Sequence, residues 1–235
     1  MASPSDEGGR VTRSSIIPWR VRALVSEHFP LLYHFASHAG KPANSPEYWD
    51  KSLAETWDDE SRTWPTKNKL IESLTAASER ILDVGCGTGS ILRHLLQAGY
   101  KDLHGFELSK YAVERLSREG ITMHHGTLPT IDLPESEFDV VIASQILEHI
   151  IRRHKFVKSI RRVLRPGGRA FIFVPDNCLG PIDEDNHVIT YNRDSLHRFL
   201  QPYFDVLRLE SVRDANHGTP VLFALVLKPS LSSDV

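Results

Sequence analysis

Ile81-Leu82-Asp83-Val84-Gly85-Cys86-Gly87-Thr88-Gly89-Ser90 decides how this chain folds. Four strand-type residues run into a turn with glycine at every second position, and Ile91, Leu92, Leu95 and Leu96 then recur at helical spacing. A glycine turn lets the backbone reach contact distance with a ligand, because no Cβ stands in the way. The helix behind it offers unpaired N–H groups and a positive dipole end. This is a nucleotide-binding corner on an α/β sheet. A dinucleotide fold wants G-x-G-x-x-G, but the third glycine would fall where Ser90 stands. A phosphate loop counted from Gly85 would need a glycine and a lysine where the chain has Ser90 and Ile91.

What stands here is D-x-G-x-G-x-G, from Asp83 to Gly89. It resembles the first motif of class I S-adenosylmethionine (SAM) dependent methyltransferases, whose glycine turn holds the amino-acid end of SAM. The resemblance places Asp83, Gly85, Cys86, Gly87 and Gly89 at that end, with Cys86 as a small residue rather than a nucleophile. Its second checkpoint is an acidic residue closing the next strand. Leu103-His104-Gly105-Phe106-Glu107 is such a strand, and Leu108-Ser109 then opens a helix. Two carboxylate oxygens match the two hydroxyls of a ribose, which suits Glu107 to that contact.

Gly126-Thr127-Leu128 lies where many relatives carry Gly-Asp beside the adenine, so Thr127 and Leu128 take the adenine side here. Phe138–Ser144 is a nearly continuous apolar run, as a strand buried on both faces should be. Ser144-Gln145-Ile146-Leu147-Glu148-His149 follows it, and Leu164-Arg165-Pro166-Gly167-Gly168 precedes another strand. The resemblance covers roughly residues 70–228 and is nearest the small-molecule type of the quinone-biosynthesis group. It implies a three-layer α/β sandwich: a mostly parallel seven-stranded sheet, the last strand antiparallel, under an N-terminal helical lid.

The domain reading follows. Residues 1–15 are a polar, disordered tail, 16–66 a helical cap holding all four tryptophans, and 67–235 the SAM-binding core. An acceptor-pocket insertion is expected near 176–200. Helices are predicted near 18–38, 46–56, 67–77, 89–98, 109–119, 148–164 and 193–201. Strands are predicted over 80–84, 102–107, 121–125, 138–144, 169–175, 205–213 and 220–227. The net charge of −2 exerts no overall pull toward nucleic acid or a membrane. Two cysteines give no disulfide framework, and no apolar run approaches the roughly 20 residues of a membrane span. A cytoplasmic location is the expectation.

Methyl transfer from a sulfonium is an in-line displacement, so the protein must mainly align the acceptor and remove its proton. His149, at the mouth of the fourth strand beside Ser144 and Gln145, is the candidate base. Tyr48 and Trp49, in Tyr48-Trp49-Asp50, resemble a short aromatic motif that approaches the site in relatives. His187, His197 and His217 are expected around the acceptor pocket. A metal reading stands beside this one. Quinone O-methyltransferases and small-RNA 3′-end methyltransferases carry Glu-x-x-Glu-His here and bind a divalent cation. This chain has Gln145-x-x-Glu148-His149, one charge fewer for a hard cation, and His187 as a further ligand.

Eight cations between Arg152 and Arg169 have no acidic residue among them, and apolar Ile150, Val157, Ile160 and Leu164 recur at helical spacing. They read as a solvated face. The functional reading is methyl transfer from SAM to a small-molecule hydroxyl, with an amine as the lesser choice. Two alternatives stay open: an RNA end as acceptor, gripped by the basic 152–169 stretch, and a SAM-binding module without catalysis. Oligomeric state is not legible.

Overall fold

In a computed structural model, the chain is described over residues 18–37, 44–180, 183, 184, 186–213 and 218–230. The predicted tail and His217 lie outside these residues. Seven strands form one sheet: β1 (Ile81–Val84), β2 (Leu103–Glu107), β3 (Thr122–His125), β4 (Phe138–Ser144), β5 (Leu164–Pro175), β6 (Asp205–Val212) and β7 (Val221–Leu227). Their order is β3-β2-β1-β4-β5-β7-β6, and β7 runs antiparallel to both its neighbours. All other pairings are parallel. The chain therefore reverses direction across the sheet at β1/β4, and ligands in such sheets lie beyond the carboxyl ends of the strands at that crevice.

Strand β1 is buried along its whole length, as a strand covered on both faces must be. Helices α4 (Pro65–Ser73) and α5 (Ser90–Gln97) share one face of the sheet, where Ile71, Leu92 and Leu95 pack with Ile81, Ile142 and Phe171. Helix α6 (Lys110–Arg118) joins that side through Ala112 and Leu116. The opposite face carries α7 (Arg153–Val163) and α8 (Arg193–Leu200), with Phe156, Ile160 and Leu196 against Leu82, Val141 and Ile172. These are the three expected layers.

Ahead of the core lie α1 (Trp19–His28), α2 (Pro30–Ser37) and α3 (Pro46–Glu55). The single helix expected over 18–38 is broken at Phe29, because Pro30 brings no N–H to continue the ladder. Helix α3 starts cleanly: the Ser45 hydroxyl accepts from Tyr48 N at 3.2 Å, and Pro46 takes the first turn, where its missing donor costs nothing. The helix expected over 148–164 is also divided. Leu147–His149 forms a short 3-10 turn, Ile150 leaves it extended, and α7 begins only at Arg153. That break turns His149 away from α7 and toward the crevice.

Candidate active site

A cavity of about 610 Å³ opens over the carboxyl ends of β1, β2 and β4. Its floor is the glycine turn, and Trp49, Leu53, Arg62 and Trp64 close over it from the N-terminal segment. Gly85 takes φ +70, and a Cβ there would strike the Ile146 side chain at 2.8 Å, so only glycine fits. Leu53 stands 3.8 Å from where a Cβ on Gly87 would lie, which shows how closely α3 approaches the turn. Helix α3 is also tied to the core. Asp50 Oδ1 accepts from Ser109 Oγ at 2.6 Å and from Tyr111 N at 3.2 Å, and these bonds hold its carboxyl below the ordinary range.

Glu107 organises the cofactor side. Its Oε2 accepts from Gly87 N at 2.9 Å; its Oε1 accepts from Leu108 N at 2.8 Å and Ser109 N at 3.0 Å. One carboxylate thus ties the glycine turn to the end of β2 while lining the cavity. Asp83 is wholly buried; burial pushes its carboxyl up to about 7, Glu107 adds to the rise, and Lys67 opposes it. Burial also pushes the Cys86 thiol up, which keeps it an un-ionised thiol and bears on the steric reading of that residue. Cys86, Leu108, Thr127, Leu128, Ser144 and Gln145 all line the cavity. Gly89 does not. It sits at φ +73 before α5, where a Cβ would meet Leu116 at 2.5 Å, so helix packing accounts for that glycine.

The other end of the cavity is built differently. His149 Nδ1 donates to the Asn186 carbonyl at 3.0 Å, and His187 Nδ1 donates to the Leu179 carbonyl. Both rings therefore keep Nε2 as a bare lone pair. Their centroids are 4.6 Å apart, with Trp49 edge-on to His149 at 5.8 Å. Burial, then the neighbouring His187, pushes His149 down to about 3, and burial lowers His187 too. A base this weak does not hold a proton near neutral pH, which counts against His149 as a general base.

Glu148 is 1% exposed, and burial pushes its carboxyl up to about 8. Neither of its oxygens finds a hydrogen-bond partner among the described residues, nor does the buried amide nitrogen of Gln145. One ligand atom from each of Glu148, His149 and His187 lies within 4.8 Å of the others. Buried polar atoms are normally paired, and metal-bound histidines characteristically donate their second nitrogen to a carbonyl or carboxylate. Both observations fit a divalent cation.

The structure gathers most of the predicted residues but not all. Tyr48 is 47% exposed on the outer face of α3, because helical spacing turns it away when Trp49 and Leu53 face inward. His187 stands behind His149 rather than on the cavity wall, and His197 is exposed on α8. Lys67 and Arg62 also line the cavity, and nothing in their spacing separates them from ordinary helix and loop residues; Trp64 is one of the cap's four tryptophans. The basic run is only partly a free face. Arg161 bonds Tyr203 O, Arg162 bonds Ile131 O and Leu133 O, and Arg165 pairs with Asp139. Those guanidiniums brace α7 and β5 against the loops below, and Arg165 and Arg169 lie on β5 rather than on a helix. No helix among the described residues is long and apolar enough to cross a membrane.

Comparison with known proteins gives three concordant findings. Residues 82–172 match the model of a methyltransferase domain. The chain is 30% identical over 148 residues to 27-O-demethylrifamycin SV methyltransferase of Amycolatopsis mediterranei, covering 55% of this chain and 54% of that one. It is also 30% identical over 156 residues to the ubiquinone biosynthesis O-methyltransferase of Methylococcus capsulatus, covering 61% and 60%. The chain thus spans between half and two thirds of the length of these relatives. Among solved structures, the 1,6-didemethyltoxoflavin N1-methyltransferase of Burkholderia thailandensis, with bound S-adenosylhomocysteine, superposes with a TM-score of 0.62 at 17% identity. That match covers 80% of this chain and 92% of the other.

Proposed function

We propose that this chain, whose residues 82–172 match the model of a methyltransferase domain, transfers a methyl group from SAM to a hydroxyl of a small molecule. The observation that carries the proposal is Glu107, which locks the glycine turn to β2 and still faces a cavity of ligand size. SAM brings a methyl group already activated on sulfur. The protein's own tasks are then to bind, orient and exclude water. Glu107 keeps acceptor capacity beyond its three backbone donors for the ribose hydroxyls. Asp83 faces the ligand's ammonium, the turn at Gly85 admits the backbone to contact, and Thr127 and Leu128 border the adenine. Trp49 and Leu53 cover the sulfur end, the part of 16–66 that acts as a lid.

On the acceptor side, Glu148, His149 and His187 are the residues that would hold a divalent cation. Such an ion, when bound, acts as a Lewis acid that lowers the pKa of an acceptor hydroxyl. His149 and His187 are kept neutral by burial and aimed by the carbonyls of Asn186 and Leu179. The acceptor lies between Trp49, Ile150 and Arg152, which line the cavity beyond Gln145. The names of the ubiquinone biosynthesis O-methyltransferase and the 27-O-demethylrifamycin SV methyltransferase support oxygen over nitrogen.

Calorimetry with S-adenosylhomocysteine, with NAD as comparison, tests the cofactor. Micromolar binding of the first alone is the expected result. Binding of NAD alone, or of neither ligand, overturns the reading.

A further inference from the structure

Trp57 follows the C-cap of α3, and the cofactor and acceptor roles leave it unused. It does not line the cavity, yet it is 5% exposed. The guanidinium carbons of Arg93 and Arg115 lie over its ring at 4.9 and 4.7 Å, and Tyr111 stands edge-on to it at 5.4 Å. Both cations are held in place by further bonds. Arg93 donates to Glu119 from Nε at 2.6 Å and from Nη2 at 2.5 Å, and Arg115 Nη1 donates to Tyr111 Oη at 2.7 Å. A guanidinium over an indole face is attracted by the ring quadrupole, and the attraction is strongest where water is excluded.

The two arginines belong to the two helices that leave the cofactor loops. Arg93 is on α5, which starts at Ser90 straight after the glycine turn. Arg115 is on α6, capped by Ser109 two residues after Glu107. One ring of the N-terminal segment is therefore fastened to the scaffold of both loops at once. The other end of α3 is fastened as well, by the bonds of Asp50 to Ser109 and Tyr111. Those bonds reach α6, and Trp57 adds α5. Between the two fixings lies Leu53, the residue that stands opposite Gly87 over the turn.

We infer that Trp57 is a positioning residue for the cofactor: through Arg93 and Arg115 it holds α3 shut over the glycine turn, and so sets how long the cofactor stays bound without touching it. The inference rests on the SAM reading and names what keeps that site covered. A ligand beneath Trp49 and Leu53 leaves as α3 lifts. Without the Trp57 ring, α3 keeps its tie at Asp50 and loses the second fixing. The covered state is then a smaller fraction of the whole, and the apparent dissociation constant rises in proportion.

Surface plasmon resonance with S-adenosylhomocysteine on wild type, Trp57→Leu and Trp57→Phe reads the residence time. Trp57→Leu should release the ligand at least about tenfold faster, the scale of two buried cation–π contacts. Its binding capacity should stay that of wild type, and its association rate should not fall. A variant that lost capacity or associated more slowly would have a damaged site instead of an open lid, which overturns the inference. Trp57→Phe keeps a ring face with a weaker quadrupole, so its release rate should lie between the two. Arg115→Met should speed release in wild type but add little to Trp57→Leu, because both changes remove the same contact. Additive effects would give the two residues separate tasks and overturn the inference, as would an unchanged release rate in Trp57→Leu. Any of these contrary results on a wild type that binds leaves the SAM reading standing. Wild type that does not bind S-adenosylhomocysteine takes both down.

Discussion

The two ends of the cavity differ in how completely the chain satisfies its own polar groups. At the cofactor end, Glu107 is met by three backbone N–H groups, and Ser109 caps α6 while donating to Asp50. At the acceptor end, buried atoms of Asn44, Gln145, Glu148, Asn186 and Tyr191 find no partner among the described residues, whereas beside Ser90 at the cofactor end Asn68 Oδ1 is the one such atom among them. A saturated network is a finished piece of fold that a ligand meets from outside. An unsaturated one is costly to bury, and the cost falls when a ligand or ion supplies the missing contacts. The cofactor half is therefore built in advance, whereas the acceptor half is completed by what it binds.

The strongest attempt to break this contrast is chelation. Stripping divalent cations should lower methyl transfer by at least about 100-fold while S-adenosylhomocysteine affinity stays within about twofold. A rate assay and a calorimetric titration on the same sample check both halves, and full activity after exhaustive chelation would sink the cation site. Next in size is Glu107→Ala, which should weaken S-adenosylhomocysteine by about 1.5–3 kcal/mol. Divalent-ion affinity should not move, and a change in both would mean that the halves are one network.

The smallest effect comes from pH. Asp83 sits near 7 in the folded, ligand-free chain against 3.8 for the free side chain. A carboxyl raised by folding contributes stability that is full below about 4 and is lost as pH rises through 7. An incoming ammonium favours the ionised form, so S-adenosylhomocysteine should bind about tenfold more weakly at pH 6 than at pH 8. Asp83→Asn should flatten that profile and raise the melting temperature of the ligand-free protein at pH 8. A profile that keeps its slope in the variant would assign the titration to another group.

The sequence shows these halves unequally, for the same physical reason. Strands buried on both faces must be apolar runs, so β1, β4 and β5 are visible as composition alone. A backbone brought against a ligand must have glycine, so Gly85 and Gly87 are visible as spacing. Even β3, whose Thr122-Met123-His124-His125 is not an apolar run, follows from its place after α6. Nothing comparable marks the acceptor end. The extended residue Ile150 carries no breaker, yet it parts His149 from α7. Lys67 lies on an ordinary helix, and only the fold brings its ammonium to Ser144 of β4 and Phe173 of β5. Tyr48 and Trp49 are adjacent in sequence, yet only Trp49 lines the cavity while Tyr48 is exposed, a distinction that a two-residue motif does not carry.

The carbonyl of Asn186 accepts from His149 Nδ1 and, at 3.1 Å, from Asn44 Nδ2. The carbonyl of the next residue, His187, is within 3.2 Å of His34 Nδ1 on α2. The segment ahead of the core and the His149 imidazole thus share one short stretch of backbone as their anchor, the stretch that carries His187. Any shift of that segment to admit an acceptor pulls on the same peptides that aim His149 and carry His187. Entry and grip are then mechanically coupled: the imidazoles are best aligned when the doorway is shut, and an open doorway idles the chemistry without a separate signal.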